Sequence, residues 1–224
     1  MSMKDVFVVI PAYNEGKVIS SVLQKIKKAG FSNIIVVDDC SKDNTALLAK
    51  KQQARVVKHS LNRGAGAATK TGIDAAKELG AHYVVTIDAD GQHDPAEIER
   101  LLKKAPKYDV VIGSRMINSK GMPISRKILN WGGSIITFLF YGIHVRDSQS
   151  GFKVFNRKAI ENIEIKFDRF EFCSEVLHEI QKKKLTYTEV PISVIYTEYS
   201  LSKGQHISNG FRMIFRMIQR FFVP

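Results

Sequence analysis

The sequence predicts an α/β protein in one domain, with a mostly parallel central sheet flanked by helices. Three observations lead there. Short β-branched runs alternate with stretches of helical apolar period. Polar, acidic segments follow three of those runs. The 224 residues, 44% hydrophobic and 25% charged, suit one globular unit with a sizeable core.

Taken in order, Val6 to Ile10, Ile34 to Val37, Arg55 to Val57, Tyr83 to Ile87 and Val110 to Ile112 read as buried strands. Between them, Gly16 to Ala29, Asn44 to Gln53, Gly66 to Leu79 and Pro95 to Ala105 read as helices. Strand–helix alternation of this length implies right-handed βαβ units. Beyond residue 116 the alternation breaks down. An apolar helix spans Ile128 to Ile143, Ser148 to Phe155 turns into a strand, and Cys173 to Lys184 is a helix. Thr186 to Tyr196 is a β-rich run interrupted by Pro191, followed by a polar loop at Ser200 to Gly204 and a final basic helix.

Composition narrows the partners. The formal net charge of +12 favours anionic ligands or surfaces. Two cysteines, Cys40 and Cys173, form no CxxC pair, which argues against zinc and against a disulfide framework and fits a reducing compartment. The opening MSMKDVFVVIPAYNE reads as a first strand and not as a signal peptide. The longest uncharged apolar run, Ile128 to Ile143, is short of the ~20 residues a spanning helix needs.

In open parallel sheets ligands lie outside the carboxyl ends of the strands. There the sequence carries PAYNE after the first strand, VDDCSKD at the second and DADGQHD after the fourth. Any one of these reads as a helix-capping loop, with Ser41, Asp43 and Asp94 as candidate caps. Three on one edge call for a ligand. Asp88 and Asp90 are two carboxylates that repel unless a cation neutralises them. Mg²⁺ and Mn²⁺ prefer one or two carboxylates plus substrate phosphates, so this pair suits a metal bridging protein and diphosphate. The glycines of NRGAGAATKTG lack the GxxxxGK[ST] spacing of a phosphate loop and read instead as close helix packing.

With these motifs in hand, the chain resembles the family-2 glycosyltransferases of the GT-A (Rossmann-like) fold, and within them the dolichyl-phosphate mannose and glucose synthases. The matching stretches are VIPAYNE, VVDDCSKD, NRGAGAATKTG, DADGQHDP, GSR (Gly113 to Arg115), SR (Ser125-Arg126), DSQSGFKVF (Asp147 to Phe155) and SKGQ (Ser202 to Gln205). They run in family order through nearly the whole chain. The resemblance implies an inverting, metal-dependent hexosyltransferase using Mg²⁺ or Mn²⁺. It would move a hexose from a nucleotide sugar, of GDP-mannose or UDP-glucose type, to a polyprenyl or dolichyl phosphate.

Residue by residue, the resemblance implies that Pro11, Tyr13 and Glu15 cradle base and ribose, with Val37 and Asp39 closing that pocket. Asp88, Ala89 and Asp90 would face the donor; Asp88, Asp90 and the Gln92 amide oxygen would hold the metal. Arg115 and Lys203 would neutralise phosphate charge, making Asp90, Arg115 and Lys203 the catalytic set. Arg126 and Asn130 would meet the acceptor phosphate. Thr197 departs from the mannose-synthase pattern, which has an arginine six residues before the loop lysine. A phosphate monoester is mostly ionised at neutral pH, so it needs cationic clamps more than a base; were a base needed, Asp147 or Glu175 would be the candidates.

The expected organisation is a nucleotide-sugar half (1–115), an acceptor half (116–210) and an amphipathic basic C-terminal helix (211–224). In that helix Phe211, Ile214, Phe215, Ile218 and Phe222 recur at helical spacing beside Arg212, Arg216 and Arg220, a pattern suited to an anionic membrane surface. The expectation is peripheral attachment on the cytoplasmic face. Three competing readings stand beside this one. A family-2 enzyme acting on a glycan hydroxyl should show a strong Glu-Asp base motif and an aromatic platform, neither of which is clear. A nucleic-acid-binding protein should interleave aromatics with basic residues; the aromatics here lie mainly in apolar helices, so nucleic acid is not an expected partner. An inactive nucleotide-sugar sensor would not be expected to keep the Asp88–Asp90 pair.

Overall fold

Alternation along the first strand sets the layers. Val6, Val8 and Ile10 point to one side of the sheet and Phe7 and Val9 to the other, and all are buried. A strand apolar on both faces must be covered on both. The computed structural model describes residues 3–119, 122–169, 171–195 and Tyr199. Its strands are β1 (Val6–Ala12), β2 (Ile34–Asp38), β3 (Arg55–Lys58), β4 (Tyr83–Thr86), β5 (Val110–Ser114), β6 (Lys153–Asn156) and β7 (Tyr187–Pro191). They form one seven-stranded sheet in the order β3-β2-β1-β4-β6-β5-β7. Every pairing is parallel except those of β6, which runs antiparallel between β4 and β5.

The helices are α1 (Ile19–Lys28), α2 (Thr45–Lys51), α3 (Ala65–Glu78), α4 (Ile98–Leu102), α5 (Ile124–Tyr141), α6 (Arg157–Asn162) and α7 (Phe172–Lys182). On one face, Leu23 and Ile26 of α1 and Leu101 and Leu102 of α4 pack on Val6, Val8 and Ile10. On the other, Ala68 and Ile73 of α3 and Val176 and Ile180 of α7 cover Phe7, Val9 and Ile35. The glycine-rich stretch acts as a packing device. A Cβ on Gly72 would lie 2.2 Å from Val9 Cγ1, so the absent side chain lets α3 lie directly on β1.

Differences from expectation are local. The segment expected as one helix from Pro95 to Ala105 splits into a 3₁₀ turn, Pro95–Glu97, capped by the Asp94 carboxylate, and the short α4. Asp94 is therefore the cap expected of it. Of the other two candidates, the Ser41 hydroxyl accepts from the Asn14 amide, while Asp43 accepts from the amides of Thr45 and Gly16. The apolar helix begins earlier than expected, at Ile124, and ends at Gly142, whose left-handed φ of 68° stops it. Both cysteines are free. Lys203, Thr197 and the 211–224 segment lie outside the described residues.

Asp109 ties the strand starts together at the edge away from the ligand end. It accepts from the Thr186 amide (2.8 Å) and hydroxyl (2.9 Å), from Asn156 Nδ2 (3.0 Å) and from Lys158 Nζ (3.1 Å). Burial raises the carboxyl, but these donors overcome that and bring it down to about 2 from 3.8. A carboxyl whose pKa falls on folding contributes stability that is present above 3.8 and lost as pH falls through about 2. Asp109→Ala should cost about 2 kcal/mol at neutral pH. The gap between mutant and wild-type melting temperatures should narrow as scans move from pH 5 toward pH 2.

Candidate active site

The carboxyl ends of β1, β2, β4 and β5 open into a cleft of about 620 Å³, walled on the far side by α5, α7 and the 149–151 turn. Pro11, Tyr13, Glu15, Asp39, Asp88, Ala89, Asp90, Gln92, Arg115, Arg126 and Asn130 all line it. Residues expected on the donor side and on the acceptor side thus share one cavity. Val37 does not join them. It is fully buried in the core facing α3, because β2 alternates and position 37 falls on the helix-covered side.

The β1 loop is stapled to the β2 loop. The Asn14 amide donates to Ser41 Oγ at 2.9 Å, and Asn14 Oδ1 accepts from the Lys42 amide at 2.8 Å. The Glu15 amide donates to Thr45 Oγ1 at 2.8 Å. Asn14 takes a left-handed φ of 54°, which turns the chain under Tyr13 and leaves that ring 42% exposed in the cleft. Tyr199 Oη donates to Glu15 Oε2 at 2.7 Å.

Asp39 is occupied differently from expectation. Its carboxylate accepts from the amides of Arg63 (2.9 Å) and Gly64 (2.7 Å) and pairs with His59 Nδ1 (2.7 Å). A carboxylate so engaged shapes the turn into α3 and has little capacity left for a ribose. His59 and Asn62, which holds the Asp39 carbonyl at 3.2 Å, had no role in the sequence reading; Asn62 opens the NRGAGAATKTG motif and His59 lies three residues before it.

Asp88 and Asp90 lie at the cleft floor with opposite acidities. Burial acts to raise Asp88, but the His93 hydrogen bond and the charges of His93, Arg115 and Lys153 win and hold it below the usual carboxylate range. Burial and then the charge of Asp88 push Asp90 up, against the opposing hydrogen bond from the Gln92 amide. Two close carboxylates that cannot comfortably both ionise are the electrostatic situation a divalent cation relieves. Among the described residues no group of three or more His, Cys, Asp and Glu stands ready to hold a metal alone. The donor set therefore fits an ion that takes two carboxylates and completes its shell from phosphate and water. Gln92 lies beside this pair: its amide nitrogen bonds Asp90 Oδ2 at 2.6 Å, and its oxygen faces Arg126 Nη1 at 3.5 Å.

Arg115 is held in a bidentate pair. Its Nε and Nη2 each donate to Asp147 at 2.7 Å, and its amide donates to the same carboxylate at 2.9 Å. Burial would raise Asp147, but the guanidinium outweighs it and keeps the carboxyl low. Asp147 is fully buried with both oxygens held by Arg115, which argues against its serving as a base. Glu175 is engaged too, since it accepts from the amides of Lys166 and Phe167. Arg115 still edges the cleft, so any contact with a phosphate would come from the side turned away from Asp147. Its own binding energy is partly committed. The sequence reading assigned no role to His93, Gly151 or Lys153, although each lies inside a quoted motif. A lysine in the middle of the apolar run FKVF was the available signal, and Lys153 is only 1% exposed.

Comparison with known proteins names the class to which this fold and cleft belong. Residues 7–164 match glycosyl transferase family 2, and the chain belongs to that family. It is 39% identical to the UDP-N-acetylglucosamine–dolichyl-phosphate N-acetylglucosaminyltransferase of Methanococcus voltae, across 97% of this chain and 96% of that one. It is 30% identical to the undecaprenyl-phosphate mannosyltransferase of Micrococcus luteus, across 88% and 86%. In fold it is similar to glucosyl-3-phosphoglycerate synthase from Mycobacterium tuberculosis, solved with Mn²⁺, UDP-glucose and phosphoglyceric acid. That match has a TM-score of 0.73 at 17% identity, across 98% of this chain and 80% of the other. The GT-A architecture expected from the sequence is the one observed.

The Arg115–Asp147 pair yields a prediction. Breaking one partner of a buried ion pair costs about 3–5 kcal/mol, because the other charge stays buried. Asp147→Asn should lower the melting temperature by several degrees and loosen the wall that carries α5. Thermal unfolding with and without nucleotide measures both effects.

Proposed function

We propose that this chain transfers a hexose from a nucleotide sugar to a polyprenyl phosphate of the dolichyl type, with inversion, at a membrane surface. The single observation that carries the reading is the shared cavity: the Asp88–Asp90 pair and the Arg126–Asn130 side of α5 face one cleft. In this reading residues 1–115 hold the donor and 116–210 the acceptor. The donor we favour is a UDP-sugar, from the name of the Methanococcus voltae relative and from Thr197 at the position where mannose synthases carry an arginine.

In the proposed reaction an acceptor phosphate oxygen attacks the anomeric carbon from the face opposite the diphosphate. The new C–O bond forms as the old one breaks, and the electron pair leaves on the nucleoside diphosphate. No proton need be removed from an ionised phosphate. That suits a cleft whose carboxylates are Glu15, Asp39, Asp88 and Asp90, each engaged or set among other charges. Tyr13 would support the base, while Asp88 and Asp90 would hold a divalent cation, Mg²⁺ or Mn²⁺. Bound there, that ion would neutralise the leaving diphosphate. Arg126 would orient the acceptor phosphate beside Asn130. Lys203, beyond the described residues, is retained as the proposed second cation on the donor.

The membrane part rests on α5, which is built inside out. Its buried residues are Ser134 and Thr137, whose hydroxyls bond the Arg146 carbonyl (3.0 Å) and the Gly133 carbonyl (2.8 Å). Large apolar side chains are exposed along it: Ile124, Ile128, Leu129, Trp131, Ile135, Phe138 and Leu139 are seven of the thirteen exposed large hydrophobics among the described residues, with Leu129 at the cleft. No helix among those residues is long and apolar enough to cross a membrane. An outward apolar stripe beside a phosphate-acceptor cleft suits a helix lying in the interface, with 211–224 as its proposed companion on the cytoplasmic face.

Two outcomes are expected. In a transfer assay with UDP-N-acetylglucosamine, UDP-glucose or GDP-mannose and a short polyprenyl phosphate, Asp90→Ala should abolish product. Arg126→Ala should raise the KM for the lipid phosphate about thirtyfold, the loss of a ~2 kcal/mol ionic hydrogen bond, with donor affinity unchanged. No product from any donor, or an unaltered lipid KM, would refute the corresponding assignment. Separately, the wild type should sediment with anionic liposomes. Trp131→Glu/Leu139→Glu should stay in the supernatant, because each exposed side chain loses its ~1.5–3 kcal/mol of burial in the lipid.

A further inference from the structure

Resting on the metal-binding reading of the Asp88–Asp90 pair, we propose that Gly151 and His93 are positioning residues. They clamp the Asp88 carboxylate between them in its ligand-bearing rotamer.

Gly151 supplies the first jaw. A Cβ at this position would lie 2.4 Å from Asp88 Oδ1 and 2.7 Å from Oδ2. Such distances are far inside van der Waals contact, so the carboxylate rests on the bare Cα of residue 151. The glycine is not needed for backbone conformation, since its φ is outside the left-handed region that only glycines enter easily. The backbone cannot retreat either. Thr86 Oγ1 donates to the Gly151 carbonyl at 2.7 Å, buried Lys153 donates to the Ser150 carbonyl, and Thr86 is paired with Lys153 across β4 and β6. If something must yield to a methyl group here, it is the Asp88 side chain.

His93 supplies the second jaw. Its Nε2 meets Asp88 Oδ2 at 3.2 Å. The side chain is 2% exposed and packs at a tilt on Phe152, ring centroids 5.3 Å apart. The backbone of residue 93 is bridged to Val194, and the Ile195 amide donates to the Gln92 carbonyl at 2.8 Å, so the loop is fixed from behind. Nδ1 is buried with no hydrogen-bond partner among the described residues. A buried imidazole that leaves one nitrogen unsatisfied has its polar contact committed to Asp88, a cost tolerated where a site needs a fixed orientation. Phe152, next to Gly151, is the ring under His93, so the two jaws are one packed unit. Among the described residues Asp90 has no such clamp: its hydrogen bonds come from Gln92, two residues along the same loop.

The test measures Mn²⁺ bound to the full chain by electron paramagnetic resonance titration in the presence of UDP, without turnover. Gly151→Ala should fold with a metal-free melting temperature close to wild type, because a side-chain end can move aside, yet bind Mn²⁺ at least tenfold more weakly. His93→Phe, which keeps a ring on Phe152 but removes Nε2, should do the same, and His93→Gln, which returns a nitrogen near the Nε2 position, should recover part of the affinity. Asp88→Asn is the reference. If it weakens Mn²⁺ while Gly151→Ala and His93→Phe bind like wild type, the clamp is wrong and the metal reading stands. If Asp88→Asn also binds Mn²⁺ like wild type, the metal reading fails and the clamp with it. Should Gly151→Ala melt much lower, Gly151→Ser and the two His93 variants decide by the same affinities.

Discussion

Much of this molecule hangs on the bidentate contact between Arg115 and Asp147. Arg115 directly follows β5, and Asp147 begins the turn that leads from α5 back into the sheet. Burying two charges is unfavourable unless geometry and further donors compensate. Here a third bond comes from the Arg115 amide, and Glu189 on β7 holds the amides of Arg146 and Asp147 at 2.9 and 3.1 Å. The 146–147 turn is thereby fixed against β5 and β7. Because that turn is fixed, α5 stands beside the cleft with Arg126 and Asn130 facing in, and β6 enters the sheet antiparallel between β4 and β5.

The entry of β6 determines the electrostatics of the floor. It carries Lys153 into the interior beneath Asp88 and brings Gly151 against the same carboxylate. The result is an alternation of fixed charges: Lys153 and Arg115 among Asp88 and Asp147, with Asp90 at the cleft side. Asp88 is lowered by its cationic neighbours, while Asp90 is raised by burial and by Asp88 itself. Two aspartates in one tripeptide are thus chemically distinct, through what surrounds them and not through what they are.

α5 follows a different logic from the other helices. Elsewhere apolar residues face the sheet, as Leu23 and Ile26 do on α1. In α5 the hydroxyls of Ser134 and Thr137 face α7 and the 146–148 turn, and large apolar side chains are exposed. Small polar residues with satisfied hydroxyls allow close helix approach without needing an apolar partner. The outward stripe is left for something else to cover.

The sequence by itself determined the periodic parts of the structure. β1 to β5, the helices between them and the acidic edge were legible because strand and helix patterns are local, and because parallel connections put every strand end on one side. The aspartate pair was legible for the same reason: it directly follows a strand. Tertiary structure alone decided what each polar residue spends its hydrogen bonds on. Val37 reads as pocket until strand alternation is placed in register with α3. Asp39 reads as a ribose ligand until Arg63, Gly64 and His59 converge on it from twenty or more residues away. The inward lysine at 153, the glycine beneath Asp88 and the reversed face of α5 share that character. Each depends on which distant segment arrives opposite, and a one-dimensional pattern carries no information about its opposite number until the sheet order is set.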